Sequence, residues 1–221
     1  MAKAELGNPR VALFTNAQPF GRTVLESLRE QGLAVQTLVL PEFPPARQNP
    51  TAAIPFDTGQ PDRFDEYPGP RPEIVYVPRS QQAACAETLR QQGIEFILVA
   101  CWPYRIEHEL IKSAGLAALN LHPSLLPKYR GADPITAQLR AGDRHFGISL
   151  HLLDEAVDRG DIVAQTGFTL EDIGDNMGDD ISDERQAIEH RAARLGGQLF
   201  IQAVSEYDSG WQLRPQARRL A

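Results

Sequence analysis

Residues 96–100 read Phe-Ile-Leu-Val-Ala, five apolar side chains in a row with no polar alternation. A run of that length and composition is a strand buried on both faces, as in a parallel sheet covered above and below. The sequence around it alternates strand and helix signals, so the expected class is α/β with a mostly parallel central sheet flanked by helices. Val11–Thr15 is a β-rich run, after which Phe20, Val24 and Leu28 recur at helical spacing up to Gly32. Ala34–Leu40 and Glu73–Val77 read as strands, and Gln81–Gln92 as a helix ending at Gly93. Ile106, Leu110 and Ile111 mark a short helix closed by Gly115. Leu116–Leu121 is the next strand, with Asn120 and His122 at its carboxyl end, where open α/β sheets bind ligands. A helix over Ile135–Leu139 stops at Gly142. Gly147–Leu153 and Ile162–Leu170 then form an antiparallel pair, linked by Asp154–Asp161 with a tight turn at Gly160. Ile188, Ala192, Leu195 and Leu199 share one stripe of a final amphipathic helix.

The expected organisation is a single domain over 1–221. A first strand–helix–strand unit covers 9–40, a Pro-rich insertion or loop 41–78, a core 79–170, and an acidic loop with the C-terminal helix 171–221. Ten of the 17 prolines lie in 41–78, which all but forbids helix there. That segment reads as a surface excursion with some extended structure, or as a lid or acceptor-recognition loop. The net charge of −7 argues against broad phosphate-backbone binding, so nucleic acid is disfavoured although tRNA stays open. Cys85 and Cys101 have no pairing pattern, the N-terminal residues lack an apolar signal core, and no run approaches about 18 apolar residues. The expectation is a cytoplasmic protein without membrane contact.

Several chemistries lose their usual signatures. TNAQPFG stands where a G-x-G-x-x-G would follow the first strand, and neither a P-loop nor G-x-S-x-G occurs. The acidic stretch 171–184 fails the calcium-loop pattern, because Met177 falls at the glycine position. A metal held by His122, His151 and Asp158 can be imagined, but no H-x-x-x-H or H-E-x-x-H supports it, and no metal is expected. Asn120, His122 and Asp158 remain. Asn and His at a strand end can donate N–H groups to a developing oxyanion, and a carboxylate beside them can accept a proton. The same two residues could equally cap loose backbone groups of the turn.

The stretch LNLHPSLLPKYRGADPI followed by GISLHLLDEAVDRGDIVAQ resembles the 10-formyltetrahydrofolate-dependent formyltransferases. The family pattern is Asn-x-His at a strand end, a Ser-Leu-Leu-Pro loop and a later Asp-x-Gly, here Asn120/His122, Ser124–Pro127 and Asp158-Arg159-Gly160. The resemblance implies a Rossmann-like formyltransferase fold with the antiparallel pair near the active site. It implies 10-formyltetrahydrofolate as co-substrate, a small amine such as an amino sugar as acceptor, and Asn120, His122 and Asp158 as catalytic residues. It places the folate pocket around Trp102, Tyr104, Ile106, Leu153, Asp154 and Val157. Formyltetrahydrofolate hydrolysis, a methionyl-tRNA acceptor, or folate binding without turnover are the alternatives. Asn16-Ala17-Gln18-Pro19-Phe20 replaces the Gly-Ser-Asn phosphate loop of the glycinamide ribonucleotide branch, which disfavours a phosphoribosyl acceptor. The methionyl-tRNA enzymes carry a further C-terminal barrel domain, whereas this sequence stops soon after its last helix.

Overall fold

The apolar run becomes β4 (Phe96–Ala100), the middle strand of a seven-stranded sheet, with all five residues buried. The computed structural model describes residues 8–16, 18–42, 71–173 and 181–216, with nothing said of the side chains of 181 and 182. The other strands are β1 (Val11–Thr15), β2 (Val35–Glu42), β3 (Glu73–Pro78), β5 (Ala117–His122), β6 (His145–Leu152) and β7 (Ile162–Thr169). Their order is β3-β2-β1-β4-β5-β6-β7. The first five are mutually parallel; β6 and β7 are antiparallel to their neighbours. This is the expected fold class, down to the antiparallel pair.

Helices α1 (Pro19–Glu30), α2 (Gln82–Gln91), α3 (His108–Ile111), α4 (Pro134–Arg140) and α5 (Ile181–Glu206) complete the fold. Strand alternation sorts the core into two layers. Val11, Leu13, Phe96 and Leu98 pack with Phe20, Val24 and Leu28 of α1 and with Ile188 and Ala192 of α5. Ala12, Phe14, Ile97 and Val99 face the other way, onto Leu89 of α2 and Leu110 of α3. A strand with apolar residues at every position is what two covered faces require.

Several element ends differ from expectation by one or two residues, and four departures matter for the fold or the site. First, β2 runs on through Pro41 to Glu42, pairing with β3 through Pro78, so strands trim both ends of the Pro-rich segment. Proline is tolerated near a strand end, where its missing N–H removes only one bond. Residues 43–70, on which the excursion and lid readings fall, lie outside the described residues. Second, α3 is a single turn that begins after Ile106. Ile106 instead plugs the core, and the Gly115 N–H is tied to the Ile94 carbonyl at 2.9 Å rather than capping the helix. Third, the acidic stretch is not loop to its end. Residues 171–173 make a 3₁₀ turn, and α5 starts at Ile181 with Asp183 and Glu184 in its first turn, where the helix dipole favours carboxylates. Residues 174–180 of that stretch lie outside the described residues. The fourth, at Gly160, bears on the site.

Candidate active site

Asn120 and His122 are two apart on β5, so their side chains leave the same face of the sheet. The β5–β6 register sets Asn120 opposite His151 and His122 opposite Ser149. That register decides the chemistry of the strand end. Asn120 Nδ2 lies 3.0 Å from His151 Nε2, and His151 Nδ1 lies 2.8 Å from the Leu152 carbonyl oxygen. A carbonyl only accepts, so His151 Nδ1 carries the proton and Nε2 accepts from the Asn120 amide. His151 is thereby a neutral ring that fixes which end of the Asn120 amide is which.

The loop after β5 is held from below by a buried hydroxyl. Ser149 Oγ donates to the Ser124 carbonyl at 2.6 Å and accepts from the Leu126 N–H at 3.0 Å, and Gln165 Nε2 donates to it at 2.7 Å. Ser124 Oγ bonds the Lys128 carbonyl at 2.8 Å, and the Leu126–Pro127 peptide is cis. The loop so shaped brings the Tyr129 carbonyl within 2.9 Å of His122 Nε2. Tyr129 O accepts, so Nε2 is protonated, and Nδ1 is the nitrogen left for chemistry. It faces Asp158 Oδ1 at 3.6 Å, and the two side chains are only 5% and 10% exposed.

Asp158 is placed by contacts from the same loop. The Gly131 N–H donates to Asp158 Oδ2 at 3.0 Å, and Arg130 Nε donates to the Asp158 carbonyl at 3.0 Å. Here the turn departs from expectation. Asp158, not Gly160, takes the left-handed conformation, with φ 54°. Asp tolerates that region better than most residues, at a cost on the order of 1 kcal/mol. Gly160 is needed for closeness instead: a Cβ there would sit 1.8 Å from the Leu152 carbonyl oxygen.

Sequence reasoning groups His151 with His122 and Asp158 only as an imaginable metal set, and leaves it out of the catalytic one. It had a signal: Ser149 and His151 alternate with the apolar Ile148 and Leu150, marking a polar strand face. Burial lowers its pKa to about 4, while the Leu152 carbonyl and Asp158 oppose the shift. Because the unfolded ring protonates first, this group's stabilisation is complete above about pH 6.5 and is lost as pH falls toward about 4. Urea unfolding at pH 7 and pH 5 is expected to give a smaller stability difference for His151→Gln than for the parent; an equal or larger difference refutes the assignment.

All nine residues singled out from sequence line one cavity of about 320 Å³ at the carboxyl ends of β4 and β5. Asn120, His122 and Asp158 form one wall, joined by His151. Trp102, Tyr104, Ile106, Leu153, Asp154 and Val157 line the remainder. Trp102 is packed edge-on against both Phe14 and Tyr104, with ring centroids at 5.2 and 5.8 Å, so this side is stiff. Desolvation raises the Tyr104 phenol, which donates to the Glu42 carbonyl at 3.2 Å. Cys101 also lines the cavity, in a left-handed conformation at φ 60°, and burial pushes its thiol up to about 12, away from nucleophilic use. Among the described residues no group of three His, Cys, Asp or Glu side chains could hold a metal ion, and no helix is long and apolar enough to cross a membrane.

Comparison with known proteins gives the chemistry a context. A family model described as formyl transferase matches residues 9–204. Methionyl-tRNA formyltransferase of Thermus thermophilus is 36% identical over 141 residues, which is 64% of this chain and 44% of that protein. The chain thus spans less than half the length of that curated relative. Among solved structures, glycinamide ribonucleotide transformylase 1 of Symbiobacterium toebii aligns with a TM-score of 0.64 at 19% identity, covering 95% of this chain and 94% of that one. A Mycobacterium tuberculosis chain provisionally described as a sugar N-formyltransferase aligns with a TM-score of 0.58 at 15% identity, covering 96% and 74%. At these identities the structural matches speak to fold alone.

Proposed function

The chain belongs to the formyl transferase family, and from that premise we propose that it moves a formyl group from 10-formyltetrahydrofolate to the amine of a small acceptor such as an amino sugar. The observation that carries this reading is the meeting of Asn120, His122 and Asp158 on one wall of a cavity with a stiff aromatic side. A flat bicyclic donor suits such a wall. Pockets for small molecules pair apolar surface with a few placed polar groups, and about 300 Å³ is the lower end of their size range.

In this reading the acceptor nitrogen attacks the formyl carbon, and the formyl oxygen becomes an oxyanion. Asn120 has one amide N–H on His151 and a second to donate. His122 donates from Nδ1 in its protonated form, since Nε2 is committed to Tyr129. Two such preorganised donors favour the tetrahedral species over the trigonal substrate. Asp158, across from Nδ1, takes the proton shed by the amine and returns it to the departing donor nitrogen as the C–N bond breaks.

The entrance to α1 supports an acceptor without a phosphate at that position. A helix N-terminus is a natural anion site, but here Pro19 lacks an N–H and Gln18 N donates to Asn16 Oδ1 at 3.1 Å. The Phe20 N–H donates to the carboxyl of Glu189, which burial raises and Arg185 lowers. A carboxyl already stands where a phosphate would. A methionyl-tRNA acceptor has its support in the Thermus sequence match; the net charge of −7 weighs against it.

The test is to incubate the protein with 10-formyltetrahydrofolate and a panel of amines, including amino sugars and methionyl-tRNA, and to follow products by mass spectrometry. A formylated small amine is the expected result. Formate released without any amine assigns hydrolysis instead, and an unchanged donor in every arm removes the catalytic reading.

A further inference from the structure

The chain beyond α5 returns to the active site. After α5 a 3₁₀ turn, Tyr207–Ser209, leads to Trp211, whose indole donates to the Ala203 carbonyl at 2.8 Å. Arg214 then lies against the start of β7. Its N–H donates to the Ile162 carbonyl, and the Ile162 N–H donates to the Arg214 carbonyl, both at 2.9 Å. This reciprocal bridge carries Gln216 under the Asp158 turn, where it is 7% exposed.

Both ends of the buried amide are engaged. Gln216 Nε2 donates to the Gly160 carbonyl at 2.7 Å, and Gln216 Oε1 accepts from Arg130 Nη2 at 2.5 Å and Nε at 3.2 Å. Arg130 Nε in turn reaches the Asp158 carbonyl, and the next residue, Gly131, donates to Asp158 Oδ2. Gln216 therefore ties together the two segments between which Asp158 is held, the loop at 129–131 and the turn at 158–160. It does not line the cavity. A left-handed Asp persists only where its surroundings over-determine it, and Gln216 closes the side of that cage away from substrate.

We infer that Gln216 is a positioning residue: it clamps the Asp158 turn to the Arg130 loop so that Asp158 Oδ1 faces His122 Nδ1. Its catalytic consequence rests on the formyl-transfer reading; its geometric consequence does not. The variants are Gln216→Met, which keeps the volume and removes both hydrogen-bond partners, and Gln216→Glu, which keeps the acceptor for Arg130 and removes the donor to Gly160.

The first readout is the Gly131 amide signal in the ¹H–¹⁵N spectrum, which reports its bond to Asp158 Oδ2 without any turnover. The second is kcat and KM for the formyl donor, in the parent and in Asp158→Asn. In Gln216→Met the Gly131 proton is expected to move upfield and kcat to fall about tenfold, with KM within about twofold, as misplacement of a reacting group predicts. In the Asp158→Asn background the same substitution should change kcat no further. A Gly131 signal that stays in place in the folded variant overturns the assignment, as does the full kcat loss persisting without the Asp158 carboxylate. If Gln216→Met does not fold, Gln216→Glu is read by the same measurements against the same outcomes. A moved Gly131 signal in a protein that transfers no formyl group upholds the clamp and removes the transfer reading.

Discussion

Replacing His122 with alanine is expected to lower formyl transfer roughly a thousandfold while donor binding survives. Loss of one preorganised oxyanion donor costs about 3–4 kcal/mol at the transition state. His122 has a second effect, because its Nδ1 faces Asp158 Oδ1 and helps fix the carboxylate that takes the amine proton in the proposed mechanism. The Tyr129 carbonyl loses its partner as well, which destabilises the loop by about 1–3 kcal/mol. Binding should persist because the aromatic side of the cavity is built from other elements, around Trp102 and Tyr104. Single-turnover transfer read by mass spectrometry measures the loss of rate, and quenching of tryptophan fluorescence by the folate measures donor binding. Activity within tenfold of the parent would remove His122 from the mechanism.

Gly160→Ala is expected to be among the most damaging single-methyl changes in the molecule. The added carbon would meet the Leu152 carbonyl oxygen at 1.8 Å, a backbone atom at the end of β6 that has no rotamer to change. The clash can be relieved only by moving the turn, and that turn carries Asp158 and the carbonyl held by Gln216. Overpacking of this kind costs about 3 kcal/mol, and transfer should fall with it as Asp158 leaves His122. Thermal unfolding and transfer rate together check this. A variant with the parent's melting temperature and rate would show that the turn has room that the structure denies.

The site was legible in sequence to different depths. Asn120 and His122 could be paired from their i, i+2 spacing on a strand, and the strand itself from its apolar neighbours. Asp158 could be reached only through motif resemblance, since an aspartate in a polar turn has no distinguishing local pattern. The tight turn was expected at the glycine two residues later. In the structure Asp158 takes the left-handed conformation, and Gly160 serves a contact with a different strand. The role of His151 toward Asn120, and Gln216 altogether, escaped because they depend on partners distant in sequence: one on the β5–β6 register, the other on a segment reaching back across β7.

By itself the sequence determined the α/β class, the order of most strands and helices, and the strand end that bears Asn120 and His122. These follow from periodicity and local propensity, which are properties of neighbouring residues. Only the tertiary structure decided which nitrogen of His122 is free, that His151 is neutral and orients Asn120, and how Asp158 is held. Those depend on which carbonyl or N–H lies within about 3 Å of a side chain, and that is set by strand register and by loops packing from opposite ends of the chain.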